Sequence, residues 1–330
     1  MEEIELLSIG DVTMDVFLDP AEHDEFCNVE TKDQYICFSY GDKIPVKHIE
    51  YSIGGNAANN AVGVSRLGIN AGIVTTLGND ATGNEVYAML EAESVDMTYA
   101  AKQENAGSNY STIISYGGER TIFTYHAPRT YQFPFDMHPA PWVYLTSMGE
   151  SFQPFYNQFA VWLERHPDVK LAFNPGSWQL RVARAVIEPI LSKTYIVYLN
   201  RKEAEMMTGM QNTKDKEKEL LVEMSKLGPK TVIITDGAGG SYVYDGEHYY
   251  HAGILPIDSH ERTGAGDAFG AGCVAALIKN KPWEEALLWG TVNSASVIGY
   301  TGAQKGLLQE SEIDTWLARA KSCDVAVKEI

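Results

Sequence analysis

The sequence has few of the features that mark secreted, membrane-spanning or metal-stapled proteins. Its four cysteines lie far apart and form no Cys-x-x-Cys pair, so neither a zinc site nor a disulfide framework is predicted. No apolar run approaches the roughly 18 residues that a membrane span requires. The first residues, Met1-Glu2-Glu3, do not have the composition of an export signal. We therefore expect a protein of the reducing cytoplasm.

Basic residues are also scarce, with 26 Lys and Arg against 44 Asp and Glu and a net charge of -18. This charge repels nucleic acid and anionic lipid, and neither is an expected partner. An anionic ligand is not excluded, because ATP needs only a local positive field from backbone amides, a few side chains and Mg²⁺. The 45% of hydrophobic residues can supply a large globular core.

Hydrophobic periodicity predicts that strands and helices alternate along most of the chain. The predicted strands cover 4–9, 71–77, 171–173, 195–199 and 231–235, and the predicted helices cover 56–67, 83–93, 155–164, 214–227, 268–279, 283–299 and 312–320. This alternation indicates an α/β fold in which helices flank both faces of a doubly wound, mostly parallel sheet. Since there is no flexible linker, residues 1–330 are predicted to form a single domain.

Two stretches, at about 16–53 and 107–127, interrupt this alternation. The second contains a predicted β-hairpin that turns at Gly117-Gly118 and has no crossover helix. The two stretches together predict a small sheet outside the main one, which would act as a lid or a dimer surface. A lid matters for catalysis when its closure keeps water out of an active site. An antiparallel edge on the main sheet is the alternative.

The segment Gly264-Ala265-Gly266-Asp267 opens an apolar helix and carries the strongest chemical signal in the chain. Its three small residues place their amides at a helix N-terminus, where they lack intrahelical partners and bind anions. Asp267 can take a proton from an attacking hydroxyl while those amides stabilise a transferring phosphoryl group. The alternative is a glycine turn in which Asp267 only caps a core helix.

Two other phosphate-binding motifs are absent from the sequence. A Walker A loop needs a Gly-Lys pair, and the chain contains none. The dinucleotide fingerprint GxGxxG would require a glycine where Phe269 stands. Neither motif competes with the interpretation of the turn at 264–267.

A second glycine turn, Gly54-Gly55, enters the helix that begins at Asn56. Paired glycines let a polyhydroxylated ligand approach the backbone, and asparagine side chains both donate to and accept from sugar hydroxyls. The segment therefore fits sugar recognition. A tight turn that Asn56 caps is the open alternative.

Together, the two glycine turns resemble the signatures of the PfkB (ribokinase-like) family of carbohydrate kinases. The resemblance covers nearly the whole chain and implies that Asp267 is the catalytic base and that Gly264, Ala265 and Gly266 form the anion hole. The segment from Gly10 to Asp15 matches the first strand of the family. The sugar-binding residues that this resemblance implies are Thr13, Asp15, Gly54, Gly55 and Asn59.

The resemblance also implies a binding site for the nucleotide. The segment from Asn200 to Glu203 is similar to an Asn-x-x-Glu motif that acts near Mg²⁺ and the ATP phosphates, largely through water. The same pattern is close to that of a helix capping box, which is the alternative. The implied nucleotide-binding residues are Asn200, Thr235, Gly237, Gly240 and Asn293, and the implied magnesium-binding residues are Glu203 and Asn200.

One segment departs from the family pattern. This chain has Glu261-Arg262-Thr263 before Gly264, where many members have Asp-Thr-Thr or Asp-Thr-Asn and bind a monovalent cation. Glu261 remains a candidate ligand for that cation, while Arg262 can supply positive charge in its place. We therefore predict weak or absent activation by K⁺.

The predicted function is the ATP- and Mg²⁺-dependent phosphorylation of a hydroxyl on a small sugar or sugar acid, of the ribose, fructose or ketodeoxygluconate type. Family members that act on sugar phosphates often have Gly-Gly-Lys in the first signature, so by this resemblance the neutral Asn56 weakly disfavours a sugar phosphate, although lid arginines could still bind a phosphate. An adenosine-type nucleoside kinase is the alternative, with Tyr110, Phe123 or Tyr125 available to stack on a base. A non-catalytic sugar-binding protein is disfavoured because Asp267 is retained. We expect a homodimer through the lid.

Overall fold

The structure is a computed structural model that describes residues 3–20, 30–32, 35–38, 40–116, 119–258 and 262–330. Its strands are β1 Leu6–Ile9, β2 Thr13–Pro20, β3 Glu30–Lys32, β4 Tyr35–Cys37, β5 Val46–Gly54, β6 Ala71–Gly78, β7 Asp96–Gln103, β8 Tyr110–Tyr116, β9 Glu119–Tyr125, β10 Trp142–Leu145, β11 Lys170–Phe173, β12 Thr194–Asn200, β13 Thr231–Thr235, β14 Ser241–Tyr244, β15 Tyr249–Ala252 and β16 Val327–Glu329.

The α-helices alternate with these strands. They are α1 Asn56–Arg66, α2 Ala81–Ala92, α3 Gln153–Arg165, α4 Ser177–Arg181, α5 Arg184–Leu191, α6 Arg201–Thr208, α7 Glu217–Ser225, α8 Ala265–Ile278, α9 Trp283–Val297 and α10 Ile313–Ser322. Short 3₁₀ turns cover Gly237–Gly239 and Glu310–Glu312. No helix in the ranges given above is long and apolar enough to cross a membrane.

The main sheet has ten strands in the order β16-β15-β14-β13-β12-β11-β10-β1-β6-β7. Every pair from β13 to β7 is parallel, and the three strands β14, β15 and β16 add an antiparallel end. Both faces of the sheet are buried. Leu7 and Ile9 of β1 pack with α3, α5 and α7, whereas Leu6 packs on the other face with α8, α9 and α10. The predicted doubly wound, mostly parallel sheet is confirmed.

A separate sheet of four strands, in the order β5-β2-β8-β9, is called the small sheet below. It is not hydrogen-bonded to the main sheet, so the predicted second sheet is confirmed and the alternative of an edge on the main sheet is wrong. Strand β2 begins at Thr13, slightly before the predicted boundary at residue 16. Parts of the predicted lid, residues 21–29, 33–34, 39 and 117–118, lie outside the described residues.

Strand alternation gives the small sheet two chemically different faces. Asp15 is paired with Ser111, which in turn is paired with Thr124, so all three lie on one face. The opposite face carries Tyr110 and Tyr125, which are directly paired, and Phe123 two residues away. The polar face is turned towards the N-terminus of α8.

Candidate active site

Two cavities meet at the turn that precedes α8. The first, of about 270 Å³, lies between the polar face of the small sheet and the main sheet, and its lining includes Gly264 and Asp267. The second, of about 510 Å³, lies beyond the ends of β12 and β13, and its lining includes Arg262, Ala265 and Gly266. The turn is therefore the wall that the two cavities share.

A left-handed glycine shapes this turn. Gly264 precedes the first residue of α8 and has φ 75°, and a Cβ atom there would lie 2.4 Å from the Cβ of Ala303. Ala268 donates its amide to the Gly264 carbonyl at 2.8 Å, which begins the helical hydrogen bonding. The amides before Ala268 are those that a helix leaves for an anion. The anion-binding role of these amides stays a prediction, and the Ala265 amide makes one long contact, 3.5 Å to the Arg262 carbonyl.

Asp267 lies in the first turn of α8 at the boundary between the two cavities. Asn59 Nδ2 donates a 2.8 Å hydrogen bond to Asp267 Oδ2, while Gln304 Nε2 donates to Asn59 Oδ1 at 3.0 Å and so fixes the orientation of the amide. Burial raises the pKa of Asp267 to about 6; the Asn59 hydrogen bond lowers it and the negative charge of Glu203 raises it. A carboxylate with this pKa is suited to general-base work near neutral pH.

The first cavity collects most of the residues that the sequence predicts for sugar binding. Thr13, Asp15, Gly55 and Asn59 line it. Gly54 does not line it, but a Cβ atom on Gly54 would lie 2.0 Å from Asp15 Oδ2. The missing side chain at this position is therefore what allows the Asp15 carboxylate to occupy its place.

The first cavity also contains polar residues that the sequence interpretation did not select. They are Asp11, Asn56, Asn109, Ser111, Thr124, His126, Ser147 and Thr263. Asp11 lies two residues after β1, beyond the carboxyl end of a central parallel strand, where ligands of α/β proteins bind. That position was a signal in the sequence. The contributions of β8 and β9 depend on which face of the hairpin is turned inwards, which no local pattern defines.

The second cavity has a glycine-rich and largely apolar wall. Thr235, Gly237 and Gly240 line it, as predicted for nucleotide-binding residues, and Ile254, Leu255 and Ile257 supply apolar surface. Gly240 has φ 83°, and a Cβ atom there would lie 2.1 Å from the Ala252 carbonyl oxygen, so glycine is required.

Asn293 does not line the second cavity. Its side chain is fully buried, where Nδ2 donates to the Ala268 carbonyl at 2.7 Å and Oδ1 accepts from the Leu308 amide at 2.9 Å. It therefore ties α9 to α8 and to the following loop. The residues of α9 and its end that do line the cavity are Thr291, Ser294, Ala295 and Ile298.

Asn200 and Glu203 form a capping box at the start of α6. Asn200 Oδ1 accepts from the Glu203 amide at 3.0 Å, and Glu203 Oε2 accepts from the Asn200 amide at 2.9 Å. Neither residue lines the second cavity. Glu203 is nevertheless close enough for its charge to raise the pKa of Asp267, so the motif lies near the shared wall.

Arg201 lies between Asn200 and Glu203 and binds Asp236 in the turn that follows β13. Its Nε and Nη2 donate to the two carboxylate oxygens of Asp236, each at 2.8 Å, and Nη2 also donates to Glu217 at 2.7 Å. This fork fixes Asp236 between Thr235 and Gly237, which line the second cavity. The sequence interpretation did not select Arg201.

The monovalent-cation segment is only partly described. Glu261 lies outside the described residues, whereas Arg262 is exposed and lines the second cavity. Among the described residues, no group of three or more His, Cys, Asp or Glu side chains is arranged to hold a metal ion.

Comparisons with known proteins identify the family. The family model described as pfkB family carbohydrate kinase matches residues 4–310. An ATP-dependent 6-phosphofructokinase of Thermoanaerobacterium thermosaccharolyticum is 26% identical over 311 residues, which cover 91% of this chain and 94% of that protein.

Two solved structures share the fold. Arabidopsis thaliana ribokinase, complexed with ribose and ATP, has a TM-score of 0.78 at 20% identity, covering 96% of this chain and 99% of that one. Burkholderia thailandensis nucleoside kinase, in complex with inosine, has a TM-score of 0.76 at 17% identity with the same coverage, 96% and 99%.

The family match includes both glycine turns, and the fold places the two turns against one cavity. The resemblance that the sequence indicated is therefore confirmed. This chain belongs to the pfkB family of carbohydrate kinases and is an ATP-dependent phosphotransferase.

Proposed function

We propose that this kinase transfers the γ-phosphoryl group of ATP to a hydroxyl of a small sugar bound in the first cavity. The observation that carries this proposal is the turn 264–267, whose residues line both cavities. An acceptor in the first cavity and a nucleotide in the second would meet at this shared wall. Asp267 would then lie beside the acceptor hydroxyl.

In this proposal Asp267 is the general base. Asn59 binds only one of its two carboxylate oxygens, which leaves capacity for the proton of the sugar hydroxyl. As the hydroxyl oxygen bonds to the γ-phosphorus, the bond from that phosphorus to the bridging oxygen of ADP breaks. The amides of Gly264, Ala265 and Gly266 would stabilise the negative charge on the transferring group.

The second cavity would hold the nucleotide. Its apolar residues suit a base, and the turn of Thr235, Gly237 and Gly240, which Arg201 braces, suits the ribose and phosphates. Glu203 and Asn200 fit a role in holding Mg²⁺ through water, because the capping box uses only one oxygen of the Glu203 carboxylate. Bound Mg²⁺ would neutralise charge on the ATP phosphates.

The shape of the small sheet favours a sugar over a nucleoside as acceptor. The aromatic residues available to stack on a base, Tyr110, Phe123 and Tyr125, lie on the face opposite to Asp15. None of them lines the first cavity, whose lining in the described part of the chain contains no Phe, Trp or Tyr. A nucleobase would lack the stacking partner that such sites commonly supply.

The pKa of Asp267 predicts the pH dependence of catalysis. A general base must be deprotonated, and this pKa is raised to about 6, so the active form is lost as the pH falls through that value. We expect kcat/KM to be nearly constant above about pH 7 and to fall close to tenfold for each pH unit well below the pKa.

The measurement is a profile of kcat/KM for sugar and ATP between about pH 5 and pH 8. The variant Glu203→Gln should move the midpoint down, because the Glu203 charge raises the pKa of Asp267. A flat profile across this range would contradict the assignment of the base.

The segment before the anion-binding turn predicts the response to monovalent cations. Arg262 lines the second cavity next to Ala265 and Gly266, where its positive charge would serve in place of a bound cation. We expect no strong activation when K⁺ replaces Na⁺ at constant ionic strength, with the rate measured at saturating substrates. A several-fold increase would contradict this expectation.

The outer face of the small sheet is proposed to bind a second copy of the chain. Ile49, Tyr51, Phe123 and Tyr125 share this face and are 46–60% exposed. A cluster of large apolar side chains on a sheet face marks an interaction surface. Because the other face of the sheet lines the acceptor cavity, two copies packed through this surface would brace each other's sites.

Light scattering during gel filtration tests this dimer. We expect twice the mass of one chain for the unchanged protein and a single-chain mass for Phe123→Glu. Val161→Glu is the matched control, because Val161 is 47% exposed on α3, away from the small sheet. A single-chain mass for the unchanged protein would contradict the proposal.

A coupled assay of ADP release tests the proposed function. The panel contains hexoses, pentoses, ketodeoxy acids, sugar phosphates and nucleosides, each with Mg²⁺ and ATP. We expect turnover with at least one sugar and little with nucleosides. Turnover with nucleosides alone would support the nucleoside alternative, and no turnover with any acceptor would support a non-catalytic binding protein.

A further inference from the structure

Asp11 is a buried carboxylate of the first cavity that neither the sequence prediction nor the proposed mechanism uses. It follows β1 and is 8% exposed, yet it lines the cavity together with Asp15 and Asp267. A buried carboxylate requires partners, because burial without hydrogen bonds or opposite charge is costly. Its surroundings therefore indicate what it binds.

The Tyr131 hydroxyl contacts both carboxylate oxygens of Asp11. The Tyr131 hydroxyl lies 2.9 Å from Asp11 Oδ1 and 2.8 Å from Oδ2, and the same hydroxyl accepts the Gly149 amide at 2.7 Å. A Cβ atom on Gly149 would lie 2.8 Å from this hydroxyl, so the glycine permits the contact. A carboxylate can accept about four hydrogen bonds, which is more than Tyr131 supplies. Because Asp11 also lines the cavity, it has capacity left for a ligand there.

The pKa of Asp11 lies above its usual value, because burial outweighs the lowering by the Tyr131 hydrogen bond and by electrostatic interaction with His126 and Arg129. Arg129 is 7% exposed and does not line the cavity, and its charge acts on Asp11 and on Asp80. Arg129 therefore stabilises the wall rather than offering its guanidinium to a ligand.

The described lining of the first cavity is strongly acidic. It includes three carboxylates but only one basic side chain, His126. Arg120, which shares a face with Ile122 on β9, does not line the cavity. Carboxylates accept from sugar hydroxyls and repel a carboxylate or phosphate on the ligand.

We propose that Asp11 is a second hydroxyl-binding carboxylate of the acceptor cavity and that, with Asp15, it restricts the acceptor to uncharged sugars. This proposal rests on the assignment of the first cavity to the sugar. It adds a specificity-determining residue and narrows the acceptor class, excluding sugar acids and sugar phosphates as preferred substrates.

The variant Asp11→Asn tests the proposal with a neutral side chain of nearly the same size. For the best neutral sugar of the unchanged enzyme, we expect KM to rise about 10- to 100-fold, as for the loss of a charged hydrogen bond. We expect kcat and the KM for ATP to stay within about 3-fold, because Asp11 touches neither the nucleotide nor the reacting atoms. Tyr131→Phe should raise the sugar KM in the same direction by less.

The preference for a neutral sugar over its sugar acid distinguishes an effect of the Asp11 charge from a general loss of folding. The kcat/KM for the neutral sugar, divided by that for its sugar acid, should fall about tenfold in Asp11→Asn, because the repulsion of the acid is reduced. A variant that is merely destabilised would lose activity with both ligands and keep this ratio. Asp245→Asn, in the β14–β15 connection, is the control for loss of a carboxylate elsewhere.

The results of these assays distinguish failure of the proposed function from failure of the role proposed for Asp11. If the unchanged enzyme phosphorylates no sugar, the proposed function itself fails. If it phosphorylates a neutral sugar but Asp11→Asn leaves both the sugar KM and the selectivity ratio unchanged, only the role of Asp11 is wrong. If a sugar acid or sugar phosphate is the best substrate of the unchanged enzyme, the restriction to uncharged sugars is overturned.

Discussion

Replacing Asp267 with asparagine is expected to lower kcat by about 10²-fold or more. The amide keeps the size of the side chain but cannot accept the hydroxyl proton as the phosphoryl group is transferred. The anion-binding amides of the turn remain, so residual activity above the uncatalysed rate is expected. The kcat and KM are measured with the sugar that the panel of acceptors identifies.

Binding measurements separate chemistry from affinity in this variant. Calorimetric titration with the sugar and with ATP should give dissociation constants within about tenfold of those of the unchanged enzyme, because Asp267 acts mainly in the transition state. Asp314→Asn is a matched control, since Asp314 is an exposed aspartate in the first turn of α10, far from both cavities. If Asp267→Asn retained most of its kcat, Asp267 would not be the base.

Replacing Gly54 with alanine is expected to raise the KM for the sugar about 10- to 100-fold. The added Cβ atom would lie 2.0 Å from Asp15 Oδ2, a distance that no side chain tolerates, so the carboxylate must move. Asp15 would then lose its charged hydrogen bonds to the sugar. The KM for ATP should change little, because Gly54 lies on the acceptor side.

A double-mutant cycle tests whether Gly54 acts through Asp15. Gly54→Ala combined with Asp15→Ser should be no worse than Asp15→Ser alone, since the displaced carboxylate is already absent. Gly107→Ala is the matched control, because its Cβ would approach only Asp80 Oδ2, at an ordinary 3.6 Å. Additive losses in the double variant would show that Gly54 has a role independent of Asp15.

Much of the main sheet could be predicted because its strands are buried on both faces. The run Leu6–Ile9 is apolar except for Ser8 and is fully buried, and β13 has the bounds predicted for it, Thr231–Thr235. Other elements carry no such signal. Helix α5, Arg184–Leu191, contains Pro189, which argues against a helix, and β16, Val327–Glu329, is a three-residue edge strand that only its partner β15 defines.

The sequence predicted which candidate residues come together where glycines shape the backbone. The two glycine turns bring Asp15, Asn59 and Asp267 together because each glycine permits a close approach that the sequence already marks. The bounds of α9 were also predicted closely, but Asn293 does not lie on the face of this helix that lines the second cavity. The cavity-lining positions 291, 294, 295 and 298 form one helical stripe, and Asn293 lies outside that stripe.

The segment from Asn200 to Glu203 shows why sequence left two alternatives open. The capping box that the pattern allows is present, and Glu203 still lies near enough to Asp267 to raise its pKa. One motif can thus cap α6 and also place a carboxylate close to Asp267. Arg201 could not be selected in advance, because its partners Asp236 and Glu217 come from other elements.

The most direct test of the central claim is transfer of label from ATP that carries radioactive phosphorus in the γ position. With Mg²⁺ and a neutral sugar, we expect the label to appear in a sugar phosphate ester, in proportion to the ADP formed, and this transfer to be lost in Asp267→Asn. Label that stays in ATP, or that appears only as inorganic phosphate with every sugar tested, would contradict a kinase whose shared turn joins a sugar cavity to a nucleotide cavity.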